Sequence, residues 1–178
     1  MSTEAIDPRY PIGKMVPAEY SEKEFARRLE VLRALPSELK KALNGLNADQ
    51  LNTPYREGGW TVNQLVHHIA DSHTTAYGRF LFALAEDNPT VKPYDENSWA
   101  LLSDKRLGSI DNSVKLIEVM HERMVLFLTG LTQAELMRTV FHPQRDRNVS
   151  IWDLLGIYDW HSKHHVAHIL ELRKAKGW

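Results

Sequence analysis

Four stretches of the chain carry apolar residues at the three-to-four-residue spacing of an amphipathic helix. The predicted helices cover 21–45, 61–86, 111–129 and a final stretch that begins after Ser150. SEKE at 21–24 is a capping box, and Ser150 followed by Asp153 has a related form, with Asp where Glu or Gln is usual. Pro36 predicts a kink in the first helix. The pattern predicts an all-α protein with little strand character.

The segments between the predicted helices are short and polar. LNADQL and LTQAEL have the form of short helical turns. Loops are predicted at 52–59, 87–99 and 142–148, the last being a loop or a weak hairpin tip. The first twenty residues contain three prolines, so we expect them to form an extended arm on the surface.

The two halves of the sequence are loosely similar. LNADQL and GGWTVNQL precede one long helix, and LTQAEL and RNVSIWDL precede another. Each half therefore supplies a long helix, a short turn, a loop and a second long helix. We predict that residues 1–178 form one domain, a four-helix bundle with short connecting helical turns and an arm at 1–20.

Composition narrows the possible functions. The 178 residues include no cysteine, which excludes disulfide bonds, thiolate metal sites and a cysteine nucleophile. The first residues have no apolar run, and no stretch approaches the roughly 20 apolar residues of a membrane span, so we expect a cytoplasmic protein. A formal net charge of -1 and the lack of a basic stripe argue against nucleic-acid or membrane partners.

Candidate metal chemistry is concentrated in YDWHSKHHVAHIL, which has four histidines within eight residues. Residues four apart on a helix share a face, so His161/His165 and His164/His168 are both possible ligand pairs. On a helical wheel, His165 lies about 40° from His161 at the border of the apolar face, whereas His164 lies about 60° to the other side. The wheel favours His161 and His165, predicts a surface or edge position for His164, and places His168 at the boundary.

A third ligand is needed, because catalytic zinc sites usually have three protein ligands and an open position. WTVNQLVHHIADSH offers His67, His68 and His73. The wheel turns His67 outward but does not choose between His68 and His73. The alternative interpretation is a core histidine satisfied by a hydrogen bond, which we expect for His73, His121 and His142.

Four stretches, YPIGK, LNTPYREGGWTVNQLVHHIADSH, NPTVKPYDENSWA and GIYDWHSKHHVAHI, together resemble the DinB-like four-helix-bundle family, and within it the YfiT/BstA group. The resemblance covers nearly the whole chain. It implies a homodimer in which each chain holds one divalent ion, Zn²⁺ or Ni²⁺, through three histidines. Those ligands match His68, His161 and His165 of this sequence.

The same resemblance implies an enzyme. The group is similar to bacillithiol S-transferases, which join a small-molecule thiol to an electrophile, although its older description is metal-dependent hydrolase. Thiol S-transfer with a bacillithiol cosubstrate is therefore our first hypothesis, and hydrolysis by metal-bound water is the second. A metal- or ligand-binding bundle without catalytic activity is the third, although an open coordination position argues against it.

Candidate catalytic side chains other than the metal ligands are few. The H-E-x-x-H pattern of zinc proteases is absent, since Ser162 stands where its glutamate would be. Asp71 is a candidate base or ligand-orienting group, with a solvated surface carboxylate as the alternative. Asp95, Glu96 and Tyr94 belong to a loop that could reach a pocket mouth. The tryptophans that could form a pocket wall, or else core or interface, are Trp60, Trp99, Trp152 and Trp160.

Overall fold

The computed structural model describes residues 7–102 and 109–178, which contain the four predicted long helices. The long helices are α1 (Glu22–Leu43), α3 (Val62–Ala85), α5 (Ile110–Thr129) and α7 (Ile151–Lys176). The short helices are α2 (Ala48–Leu51), α4 (Glu96–Ala100) and α6 (Gln133–Leu136). Both α1 and α3 pack against α5 and α7, so the order around the bundle is α1, α5, α3, α7. The predicted four-helix bundle is confirmed.

Side chains define the helix starts as the sequence predicts. The Ser150 hydroxyl accepts the backbone N–H of Asp153 at 3.0 Å, and the Asp153 carboxylate accepts the N–H of Ser150 at 3.2 Å. Aspartate thus completes the capping box of α7, although its side chain is shorter than the usual glutamate. Helix α1 continues through Pro36 to Leu43 as one element.

Two predicted loops contain regular structure. The predicted loop at 142–148 contains the tip, residues 143–146, of an antiparallel hairpin made by β1 (Thr139–His142) and β2 (Arg147–Ser150). Each strand has only four residues, the lower limit over which alternation can be recognised, and β2 is mostly exposed, which explains the weak strand signal in the sequence. Within the predicted loop at 87–99, the Asp95 carboxylate accepts backbone N–H groups at the start of α4.

The apolar core has two parts, with a layer of histidines between them. One cluster includes Leu32, Phe80 and Met124, and the other includes Leu39 and Ile69. Along their helices, the buried histidines His73 and His165 lie between the residues of one cluster and those of the other. None of the helices described here combines the length and hydrophobicity that a bilayer-spanning segment needs.

The N-terminal arm lies along α7. Between residues 7 and 20 the structure has no helix or strand, as predicted, while residues 1–6 of the arm lie outside the described residues. The indole N–H of Trp160 donates to the carbonyl of Gly13 at 3.0 Å, and that of Trp152 donates to the carbonyl of Ala18 at 2.8 Å. The arm thereby covers a part of α7 that would otherwise face solvent.

Candidate metal centre

Helices α3 and α7 bring three histidine rings together inside the bundle. The Nε2 atom of His161 lies 3.1 Å from the Nε2 atom of His68 and 3.1 Å from the Nε2 atom of His165. One ligand atom from each of the three rings lies within 4.8 Å of the other two. The cluster therefore joins the inner pair of α7 to one histidine of the facing helix.

This geometry suits a cation better than a hydrogen-bond network. An imidazole nitrogen offers either one proton or one lone pair, so His161 Nε2 cannot bond well to both neighbours. Burial lowers the pKa of His68 to about 4 and holds the pKa values of His161 and His165 well below the usual range. The rings are therefore neutral at pH 7. Nitrogens about 2.0–2.1 Å from a tetrahedral zinc ion lie roughly 3.3–3.4 Å apart, close to the spacing seen here.

A second histidine group, formed by His164, His165 and His168, also has its ligand atoms within 4.8 Å of one another. All three rings come from α7, and His165 already directs its Nε2 toward His161. Only the first group draws ligands from two facing helices, as bundle metal sites do. The first group is therefore the better candidate.

The predicted surface or edge position of His164 is wrong. Its side chain is 6% exposed, and its ring stacks on that of Trp160 with centroids 4.1 Å apart. The arm covers this side of α7, and the ring of Tyr10 lies 6.2 Å from that of His164. His168, predicted at the boundary, is 4% exposed and packs 4.2 Å from the ring of Tyr55.

The predicted outward position of His67 is also wrong. This side chain is 6% exposed, and its Nδ1 lies 2.7 Å from the Ser113 hydroxyl on α5. Helix α3 packs against α5 on one side and α7 on the other, so a much wider part of its circumference is buried than an amphipathic surface helix would show.

His73 and His121 are hydrogen-bonded core histidines, as predicted. The Nε2 of His73 lies 3.0 Å from Nδ1 of His161, and its Nδ1 lies 2.9 Å from Nε2 of His121. His121 Nδ1 is 2.7 Å from the carbonyl oxygen of Leu32. His142 differs from the prediction, because it lines a cavity wall and its Nδ1 has no hydrogen-bond partner in the part of the chain that the structure describes.

A cavity of about 790 Å³ opens over the three-histidine cluster. Its wall includes three of the aromatic candidates from the sequence, Trp60, Trp160 and Tyr94, together with Tyr158. Burial raises the pKa of Tyr94 to about 12, so its hydroxyl keeps its proton at pH 7.

The other candidates are divided between the cavity and other parts of the fold. Glu96 lines the cavity, but Asp95 and Asp71 do not. Trp152 belongs to the apolar core. Trp99 packs on the ring of Tyr94 with centroids 4.5 Å apart and stays 38% exposed.

Four arginines line the same cavity and were not predicted from the sequence. Among the residues that the structure describes, they are Arg9, Arg56, Arg79 and Arg145, against one lining carboxylate, Glu96. Arg79 lies eleven residues after His68, which places it about 20° away on a helical wheel. A charged residue on the His68 face of α3 was therefore a usable signal. The other three lie outside the long helices, where no periodicity applies.

Comparisons with known proteins agree with this architecture. A profile of the DinB superfamily matches residues 31–169. The chain is 41% identical over 175 residues to "Putative metal-dependent hydrolase YfiT" of Bacillus subtilis, covering 98% of each chain. It is 43% identical to a Geobacillus thermodenitrificans protein also named "Putative metal-dependent hydrolase", with both chains fully covered.

A solved structure gives the same result for the fold. The B. subtilis YfiT structure, described as a probable metal-dependent hydrolase with an unusual four-helix bundle topology, matches with a TM-score of 0.94 at 40% identity. The match covers 97% of this chain and 99% of the YfiT chain.

Proposed function

This chain belongs to the DinB superfamily, and we propose that it is a metal-dependent enzyme whose divalent ion is held by His68, His161 and His165. The observation that carries the proposal is the close approach of three neutral imidazoles beneath a cavity, those of His68 and His165 buried and that of His161 partly exposed. Neutral imidazole suits both Zn²⁺ and Ni²⁺, and three protein ligands leave a position open for substrate.

The reaction that we propose is thiol S-transfer of the bacillithiol type. When bound, the ion supplies Lewis acidity that lowers the pKa of a ligating thiol. The sulfur forms a bond to an electrophilic carbon as the leaving group departs, and the thiol proton passes to solvent. The thiol has to come from a second molecule, because the chain has no cysteine.

Thiol transfer places few demands on the protein near the histidines. A thiolate is itself the nucleophile, so no carboxylate base is required beside the ligands. Ser162, at the position of the protease glutamate, donates its hydroxyl to the carbonyl of Tyr158 at 2.7 Å. Asp71 lies outside the cavity lining. Both observations favour a reaction without a base at these positions.

The arginines of the cavity indicate an acidic thiol. Arg79 is 9% exposed, and its Nε–H has no acceptor among the described residues. Burial, followed by the charges of Arg79 and Arg145, lowers the pKa of His142, so both guanidinium groups act on one region of the wall. A buried cation without a counter-ion is costly, and a substrate carboxylate would remove that cost. Bacillithiol-type thiols carry such groups.

The aromatic side of the cavity suits an apolar electrophile. The ring of Trp60 lies 4.6 Å from that of His68, and Trp160 lines the cavity beside His164. Indole faces supply large apolar contact areas. We therefore assign the acidic thiol to the arginines and the electrophile to the tryptophans.

The test is thiol depletion with a model electrophile, such as a chlorinated nitroarene, using zinc- or nickel-loaded protein. Bacillithiol, glutathione, cysteine and the neutral 2-mercaptoethanol are compared at equal concentration. We expect the fastest depletion with bacillithiol and no acceleration with metal-free protein. Equal rates with and without metal would contradict the proposal.

Hydrolysis is the second candidate, and Glu96 is the observation that favours it. This carboxylate lines the same cavity as the three histidines, and a carboxylate is a suitable base toward water. The relatives named as hydrolases lend the same support. Release of nitrophenol from activated esters, dependent on both metal and Glu96, would favour hydrolysis over thiol transfer.

The homodimer implied by the resemblance stays a prediction. Three exposed apolar residues of α5, Leu116, Val119 and Leu126, lie within about 80° on a helical wheel, which supports a contact between two copies. Sedimentation equilibrium of the wild-type chain tests the assembly.

A further inference from the structure

A continuous line of hydrogen bonds crosses the interior of the bundle, and we propose that it fixes His161 in the tautomer whose Nε2 lone pair is available to a metal ion. The line begins at the carbonyl of Leu32 on α1 and passes through His121 on α5 and His73 on α3 to His161 on α7. His121 and His73 are thus positioning residues that act through His161. The inference rests on the proposed ligation by His161, but not on the reaction.

The direction of the first bond follows from the carbonyl group. The Leu32 oxygen can only accept, so the His121 Nδ1 atom at 2.7 Å has to be the donor. A neutral imidazole has one N–H, which leaves Nε2 of His121 as an acceptor. The His73 Nδ1 atom, 2.9 Å away, therefore has to donate to it.

The same reasoning gives the direction of the third hydrogen bond, between His73 and His161. With its proton on Nδ1, His73 can only accept at Nε2. The His161 Nδ1 atom lies 3.0 Å from that acceptor and has to donate. The proton of His161 is then on Nδ1, and its Nε2 atom, which faces His68 and His165, carries a bare lone pair.

Burial keeps this direction from reversing. His73 and His121 are 0% and 1% exposed, and a charged imidazolium with two N–H groups would be costly in so buried a position, so each ring has a single N–H. In the opposite direction the proton of His161 would point from Nε2 into the cluster, which would remove one of the three ligands.

The wild-type chain provides the first test. In metal-free protein labelled with ¹⁵N-histidine, long-range ¹H–¹⁵N correlation spectra distinguish a protonated ring nitrogen from a bare one. We expect protonated Nδ1 and bare Nε2 in His121, His73 and His161. A proton on Nε2 of any of the three would overturn the inference, and this measurement requires neither a metal nor a folded variant.

Variants test the effect on the metal. In His121→Leu, the Nδ1–H of His73 loses its acceptor. We expect the His73 proton to move to Nε2, where it donates to Nδ1 of His161, and the His161 proton to move in turn to its own Nε2. We expect the affinity for Zn²⁺, measured by competition with a chelator, to fall about 10–100-fold, the usual cost of losing a group that orients a ligand. His121→Gln keeps a donor and an acceptor in one amide, so its affinity should stay within a few-fold of wild type.

His67→Leu is the matched control, because His67 is another buried histidine at the α3–α5 contact but lies outside the line. It should keep the tautomer of His161 and the Zn²⁺ affinity. Unchanged affinity in His121→Leu, or an equal loss in His67→Leu, would contradict the inference. Wild-type protein with the expected tautomers but no bound Zn²⁺ would refute the proposed ligation, whereas Zn²⁺ binding with other tautomers would refute the line alone.

Discussion

The Nε2 atoms of His68 and His161 lie 3.1 Å apart, although the two residues are 93 positions apart in the sequence. The contact exists because α3 and α7 are neighbours around the bundle. His165 follows His161 by one turn of α7, and its Nε2 atom also lies 3.1 Å from the Nε2 atom of His161. Metal content is therefore a direct measure of this arrangement.

Single replacements should separate the two histidine groups. His165→Ala and His68→Ala each remove a proposed ligand, so we expect most of the ion to be lost from the purified protein. His164→Ala should keep the ion but lower the free energy of unfolding by about 1–3 kcal/mol, because a buried ring is removed from its stack on Trp160. Elemental analysis and urea denaturation measure the two effects. Loss of the ion from His164→Ala would instead favour the group formed by His164, His165 and His168.

The metal-free protein should lose stability in acid over a defined range. His121 has a pKa of about 4 in the fold because of burial, and near 6.5 when unfolded. The unfolded chain therefore binds more protons between these values, so the free energy of unfolding is undiminished above pH 6.5 and falls as the pH drops toward 4. His121 alone contributes about 3 kcal/mol to this fall. In His121→Gln the slope of unfolding free energy against pH should be smaller, while an unchanged slope would contradict the depressed pKa.

Arg79 should determine selection for an acidic thiol. Arg79→Met removes the buried guanidinium, and we expect the KM for bacillithiol to rise at least about tenfold while that for 2-mercaptoethanol changes little. Arg147→Met is the control, since Arg147 is an exposed arginine of β2 that does not line the cavity. Steady-state kinetics with both thiols decides the question. Equal effects of Arg79→Met on the two thiols would indicate a structural role only.

Two carboxylates should distinguish the reaction classes. Asp71 lies outside the cavity lining, so Asp71→Asn should keep both the metal and most thiol-transfer activity. Glu96→Gln should also retain thiol transfer, because the sulfur needs no base, but should abolish any ester hydrolysis. Turnover in both assays, normalised to metal content, gives the answer. If Asp71→Asn is inactive while its metal is retained, a base-dependent hydrolase becomes the better assignment.

Periodicity predicted the helices and the inner pair of α7, but it describes one helix at a time. His164 lies on the side of α7 that would be exposed in an isolated helix. It is buried because the arm reaches it, through a bond between Trp160 and Gly13 that spans 147 positions of the chain. Helical spacing carries no information about contacts between distant segments of the chain. His67 is buried for a similar reason, since α5 packs over its side of α3.

The choice between His68 and His73 was open because both histidines face the interior. In the structure, His68 presents Nε2 to the cluster, while His73 contacts the other nitrogen of His161. A wheel gives the direction of a side chain but not the atom that it meets. Arg79, in contrast, was accessible from the wheel, as a charged residue on the face that carries His68.

The bond line from Leu32 to His161 takes one group from each of the four long helices, in the order in which they surround the core. Apolar contacts are non-directional, whereas each donor in this line has a single acceptor at a fixed place. A helix displaced by one turn would leave a buried nitrogen without a partner. The line therefore favours one alignment of the four long helices: an arrangement with one helix shifted leaves a buried nitrogen unpaired, has a higher free energy and no longer orients the ring of His161.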